Sequence, residues 1–131
     1  MSYDHAGKLV LRLSVGGLLL LHGLHKLTHG VQGIMGMLAA RGWPEFFAYG
    51  AYVGEVVAPL LLIIGLFTRP AALIVVVHML MAFYLAHTGQ LLSIDRSGGW
   101  ALELQGMFLF GALSIFLLGA GRYSMGNSRY D

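Results

Sequence analysis

The sequence predicts an all-α protein, a four-transmembrane-helix bundle with a short interfacial or re-entrant segment between helices one and two, built as a single integral membrane domain over residues 1–131. Two observations predict it. Of the 131 residues 57% are hydrophobic and 11% charged, with mean hydropathy +0.74; eight Lys/Arg and six Asp/Glu cannot coat a water-soluble domain of this length. The apolar residues also gather into four long stretches, and a membrane pass needs about 20 of them at 1.5 Å each. A third observation points past the fold: Arg12, His22, Glu55, His78 and Glu103 lie inside those stretches. An ionisable side chain in a spanning helix costs roughly 2.5–3.5 kcal/mol on insertion scales, so it faces the bundle interior, a cavity or a partner and marks a functional site.

Helix one is expected over about 6–27, with an uncharged centre at 13–21 and Arg12 near enough to the edge to snorkel. No small-residue cleavage site follows its leucine run, so it reads as a retained helix rather than a signal peptide. The stretch 30–41 is apolar but too short to span and is expected at the interface or partly re-entrant. Helix two is expected over about 46–67, interrupted by Glu55 and Pro59. Pro59 cannot donate to the Glu55 carbonyl, which predicts a bend beside a buried carboxylate. Gly50, Gly54 and Ala58 form a stripe of small residues that lets another helix approach closely inside the bundle.

A short turn follows, with Arg69 in the headgroup region and Pro70 at the first position of helix three, expected over about 70–86. The loop at 88–99, with Asp95 and Arg96, reads as exposed. Helix four is expected over about 100–118, entered by Trp100 and left through Gly119, Gly121, Arg122 and Tyr123. Four passes place both termini on one side. Lys8, Arg12, Arg69, Arg122 and Arg129 then share that side, against Lys26, Arg41 and Arg96 on the other, so the positive-inside rule favours cytoplasmic termini.

Depth brings the polar groups together. Counting 1.5 Å per residue, Glu55 and His78 both come out roughly 12–14 Å inside the core, and His22 and Glu103 within roughly 6 Å of the outer edge. At 100° per residue His22, His25, Lys26 and His29 fall on one face of helix one. A carboxyl at the depth of Glu55 is neutral unless a cation partners it, and such a protonatable group suits quinone or proton chemistry. Plainer roles compete: His22 and Glu103 could pair to hold helices one and four together, His25 and His29 could meet only water and lipid, and His78 could donate to a neighbouring helix carbonyl. The seven methionines, Met35, Met37, Met79 and Met81 among them, read as gap-filling packing rather than copper ligands.

Some chemistries are excluded. Without cysteine this chain has no thiolate metal ligand, iron–sulfur cluster or thiol nucleophile of its own. A net charge of +2 with basic residues scattered singly leaves no nucleic-acid footprint.

Three pieces of the chain resemble one family. Leu11-Arg12-Leu13-Ser14 running to His22-Gly23-Leu24-His25-Lys26-Leu27 is similar to the opening helix of DoxX-like membrane proteins. Gly54-Glu55 followed by Leu60 to Arg69 is similar to their second helix and its turn, and Gly119 to Ser124 to their closing motif. The order and spacing of these pieces cover nearly the whole chain. At the end it departs from the pattern, which has proline near Ala120 and aspartate near Gly126. The resemblance implies a four-helix, multi-pass protein of the bacterial cytoplasmic (inner) membrane. It resembles relatives that act as membrane subunits of redox systems, including the DoxD-type subunit of thiosulfate:quinone oxidoreductase, and others linked to oxidative stress. Arg12, His22, Lys26 and Glu55 match the family's polar positions; Glu103 and His78 come from depth.

The function expected is a membrane subunit of an oxidoreductase system that binds a quinone. Glu55 and His22 are the candidate catalytic residues, with Arg12, Lys26, His78 and Glu103 as ligand-binding residues. One alternative is a metal or haem site built on His22 and Glu103, joined by His87 if helix three ends early. Another is a scaffold or small transporter that docks a soluble oxidoreductase. The lipid bilayer, a second copy of the chain or a soluble redox subunit are the partners expected.

Overall fold

The computed structural model describes residues 2–86 and 103–126. His87, the predicted loop at 88–99, Trp100 and Arg129 lie outside the described residues. Within them the protein is all-α, with five helices. Helix α1 is Ser2–His29 and α2 is Gln32–Ala40. Helix α3, residues 45–64, is composite: a 3₁₀ start at Glu45–Tyr49, an α turn at Gly50–Tyr52, a π-helical turn at Val53–Val57 and a final α segment at Ala58–Ile64. Helix α4 is Thr68–Ala86 and α5 is Glu103–Leu118.

The four long helices close a ring, since α1 packs on α3, α3 on α4, α4 on α5 and α5 on α1. Their shared core joins Val15 and Leu19 of α1 to Leu62 of α3, Val75 and Met79 of α4, and Phe108 and Ile115 of α5. A smaller core seats α2 on the start of α3 through Val31, Leu38, Ala48 and Ala51. The outer surface is apolar as well. Leu13, Leu18, Leu21, Leu73, Val77 and Leu117 are each more than 40% exposed, the pattern of helices solvated by lipid rather than water. Helices α1 and α3 are long and apolar enough to cross a membrane; α4 and α5 are apolar but contribute shorter stretches.

The expectation for Arg12 is corrected. Arg12 does not snorkel: it is 1% exposed and its guanidinium is spent on backbone carbonyls. Nε donates to Leu62 O at 2.9 Å and Nη2 to Ile63 O at 3.2 Å, while Nη1 donates to Ala120 O and Tyr123 O, both at 2.8 Å. The last turn of a helix leaves four carbonyls without intrahelical partners, and the end of α3 is accounted for one carbonyl at a time. Leu61 O accepts from Gly65 N–H and Leu66 N–H, Leu62 O and Ile63 O from Arg12, and Ile64 O from Met125 N–H at 3.0 Å. A cation at this negative pole is also favoured electrostatically. Gly65 adopts the left-handed conformation (φ 76°) that turns the chain out of α3. The segment after α5 is held in the same way, for Gly126 N–H reaches Gly65 O and Arg122 N–H donates to His5 Nδ1, both at 2.9 Å.

The irregularity expected beside Glu55 takes the form of a π turn just before Pro59, where Ala58 N–H bonds to Val53 O five residues back. The π turn contains Glu55, whose carbonyl Pro59 could not have bonded in a regular helix. Pro70, expected at the first helical position, is the third residue of α4.

Replacing Arg12 by Met removes the donor for four acceptors, and charged hydrogen bonds contribute about 1.5–3 kcal/mol each. Arg12→Met is therefore expected to destabilise the protein by about 3 kcal/mol or more, and Arg12→Lys to recover only part because an ammonium lacks the planar fork. Thermal unfolding in detergent, followed by circular dichroism, checks this; an unchanged midpoint for Arg12→Met contradicts the clamp.

Candidate functional site

The site is built where the π turn of α3 passes between α1 and α4. Glu55 is 4% exposed and its carboxylate is fully engaged. Lys26 Nζ, from α1, donates to Oε1 at 2.7 Å and to Oε2 at 2.8 Å. His78 Nε2, from α4, lies 2.7 Å from Oε2. The paired ammonium is what allows a carboxylate at this depth, since a lone buried charge would be several kcal/mol too costly. Tyr52 OH, donating to Lys26 O at 3.3 Å, adds a further tie between α1 and α3.

Glycine makes the approach possible. A Cβ on Gly23 would collide with the Glu55 carbonyl, so only glycine lets α1 lie this close to the π turn. A Cβ on Gly54 would sit 2.5 Å from His78 Cγ and 2.9 Å from Nδ1, the edge of the ring away from Nε2 and Glu55. The small-residue stripe thus has a local purpose at Gly54. Ala58 is fully buried, and nothing lies within 4 Å of a Cβ at Gly50.

Lys26, Glu55 and His78 line a cavity of about 600 Å³. His22 and Gln105 add polarity to its wall; Met37, Met81, Phe108 and Leu104 are among its apolar lining. Lys26 spends two of its three N–H groups on Glu55 and keeps one. With Nε2–H donated to Glu55, His78 keeps Nδ1 as an acceptor when neutral and as a donor when protonated. The cluster is neutral overall in the first state and carries one positive charge in the second. Such a group can donate to an oxygen of a guest and pass a proton between imidazole and carboxylate.

The other predicted residues are placed as follows. Arg12 is at the opposite end of the bundle, in the carbonyl clamp. His22 stands against the edge of Phe108 (ring centroids 5.7 Å apart, 83° between planes), and no hydrogen bond or ion pair joins it to Glu103 among the described residues. Glu103 is exposed, beside Met107 and Phe110 on a separate shallow groove. The pairing of His22 with Glu103 is therefore corrected: equal depth did not make equal facing. His25 and His29 are exposed and stacked at 4.0 Å, with His29 Nδ1 beside the His25 carbonyl. No three His, Asp or Glu side chains converge as a metal set among the described residues; His87 lies outside them. Sequence reasoning missed Tyr52, Gln105 and the placing of Gly23 and Gly54. Gln105, an amide inside an apolar helix, was a visible signal, as was a glycine next to each of His22 and Glu55.

The fold and this site define a small all-helical membrane protein with a buried ionic cluster opening into a cavity. The chain belongs to the DoxX family, whose profile matches residues 7–88. It is also 36% identical over 121 residues to an uncharacterized protein of Haemophilus influenzae, a match covering 89% of this chain and 86% of the relative. No solved structure matches it.

If the three side chains act as one unit, Glu55→Gln and Lys26→Met will each destabilise, and the double variant will lose less than the sum. A coupling of about 1–3 kcal/mol is expected from a shared ion pair. Unfolding curves of the four proteins in detergent measure it, and additive losses would show that the two side chains do not meet.

Proposed function

We propose that this chain is the membrane subunit of a redox system and binds a quinone-like ligand in the cavity beside Glu55. The observation that carries the reading is a protonatable Lys26–Glu55–His78 cluster set in an otherwise mostly apolar cavity of about 600 Å³, within the usual size range of small-molecule sites. The donor set fits such a ligand: a quinone needs hydrogen bonds to its oxygens and apolar walls for its ring. When bound, a quinone supplies the reversible uptake of electrons and protons. Lys26 donates its remaining N–H to a ligand oxygen, and Glu55 fixes both partners and exchanges a proton with His78 Nε2. His22 offers a further imidazole on the wall. The electrons come from a soluble redox partner, for this chain has no cysteine to hold an iron–sulfur cluster.

In this reading all four long helices cross the bacterial cytoplasmic membrane, with both termini in the cytoplasm and α2 at the opposite face. Helix α4, 19 residues long, spans about 28 Å at 1.5 Å per residue, close to the hydrocarbon thickness. The apolar outer surfaces of α4 and α5 support it, since Leu73, Val77 and Leu117 have no other solvent suited to them.

Purified protein in nanodiscs is expected to bind ubiquinone or menaquinone analogues, and Glu55→Gln or Lys26→Met to weaken binding by about tenfold, the equivalent of one charge-assisted hydrogen bond at roughly 1.4 kcal/mol. Fluorescence titration reads this, and wild-type protein that binds neither analogue defeats the proposal. The absence of cysteine makes topology directly testable. Single variants Tyr3→Cys and Arg122→Cys are expected to react with an impermeant maleimide from the cytoplasmic side, and Gln32→Cys from the other; labelling of all three from one side rules out the four-pass arrangement.

A further inference from the structure

The walls of the cavity are not all internal. Val53, Ile74 and Val77 line it, yet they are 44%, 38% and 57% exposed and belong to the apolar outer surface. Val53 and Val77 directly precede Gly54 and His78, the two residues in contact where the π turn crosses α4, and Ile74 lies one turn before His78. The wall beside the ionic cluster is therefore continuous with the lipid-facing surface. His78 lies mid-helix, about 15 Å from the start of α4 and about 12 Å from its end at 1.5 Å per residue, which is acyl-chain depth in the four-pass arrangement.

We infer that the ligand is a tailed amphiphile that enters sideways from the bilayer past Val53, Ile74 and Val77, beside the Gly54–His78 contact of α3 and α4. Its oxygen-bearing head meets Lys26 and His78, and its apolar tail leaves over Val53, Ile74 and Val77 into the lipid. The inference rests on the quinone-like reading above and adds the chemical class of the ligand and its route. A cavity of about 600 Å³ holds a guest of ordinary drug size, so the remainder of a long isoprenoid or alkyl tail lies outside it. The tail gains little from protein over lipid, since lipid chains are as apolar as valine. Its use is delivery, by concentrating the head at the depth of the opening.

Bulk at the opening should then obstruct the tail and spare the head. Val53→Trp and Val77→Trp, both on exposed positions, are compared with Leu117→Trp on the outer face of α5, using a decyl-tailed benzoquinone and the same ring without a tail in nanodiscs. The expected result is at least a tenfold loss for the tailed compound in the first two variants, under threefold change for the tailless ring, and no effect from Leu117→Trp. A photoreactive group on the first tail methylenes is expected to mark the peptides carrying Val53 or Ile74 and Val77. Equal effects on both compounds, or adducts confined to Ile34 and Met37 of α2, overturn the route while leaving the quinone reading standing. Failure of the wild type to bind either compound overturns both.

Discussion

A carboxylate buried among hydrocarbon side chains is tolerable only with a cation on it, and the upper half of this bundle is organised by that requirement. Glu55 takes its ammonium from α1 and its imidazole from α4, so one carboxyl group fixes the relative placement of three helices. The glycines at 23 and 54 serve it, because a Cβ at either would collide with the Glu55 carbonyl or the His78 ring. Apolar packing alone is indifferent to modest sliding of one helix along another. A bidentate ion pair is not.

The lower half meets a different demand. Helix α3 ends inside the structure, and its carbonyls need donors that neither lipid nor apolar side chains supply. One guanidinium, the Met125 N–H from the segment after α5 and the N–H groups of Gly65 and Leu66 provide them. The two ends of the bundle thus use ionic groups differently. At one end the positive charge is consumed by backbone and has little left for a ligand; at the other the cluster lines a cavity and Lys26 keeps a donor. This difference, more than the mere presence of charges, separates the candidate site from the scaffold.

Much of this was legible in the sequence, for reasons that are physical. Apolar length predicts the helices, and depth counting brought Glu55 and His78 to one level because both stand mid-helix. Depth alone does not say which way a side chain faces, which is why His22 turned to Phe108 and Glu103 to the surface instead of to each other. Arg12 was misread because snorkelling is the default for an arginine near a helix end, and its competing acceptors are backbone carbonyls from residues 62 to 123, invisible to any side-chain pattern. Pro59 correctly marked where α3 is irregular. The form it took, one wide turn preceding the proline and packed against Gly23, is supplied by no local rule.

The Arg12 clamp has a consequence for how the chain is made. The guanidinium leaves the ribosome 108 and 111 residues ahead of two of its four acceptors, Ala120 O and Tyr123 O. Until they arrive, a charge destined for the interior has only half its partners, and the N-terminal helix has reason to stay near water or within the insertion machinery. Closure of this end of the bundle therefore waits for the segment after α5 and follows the order of translation rather than the strength of any single contact.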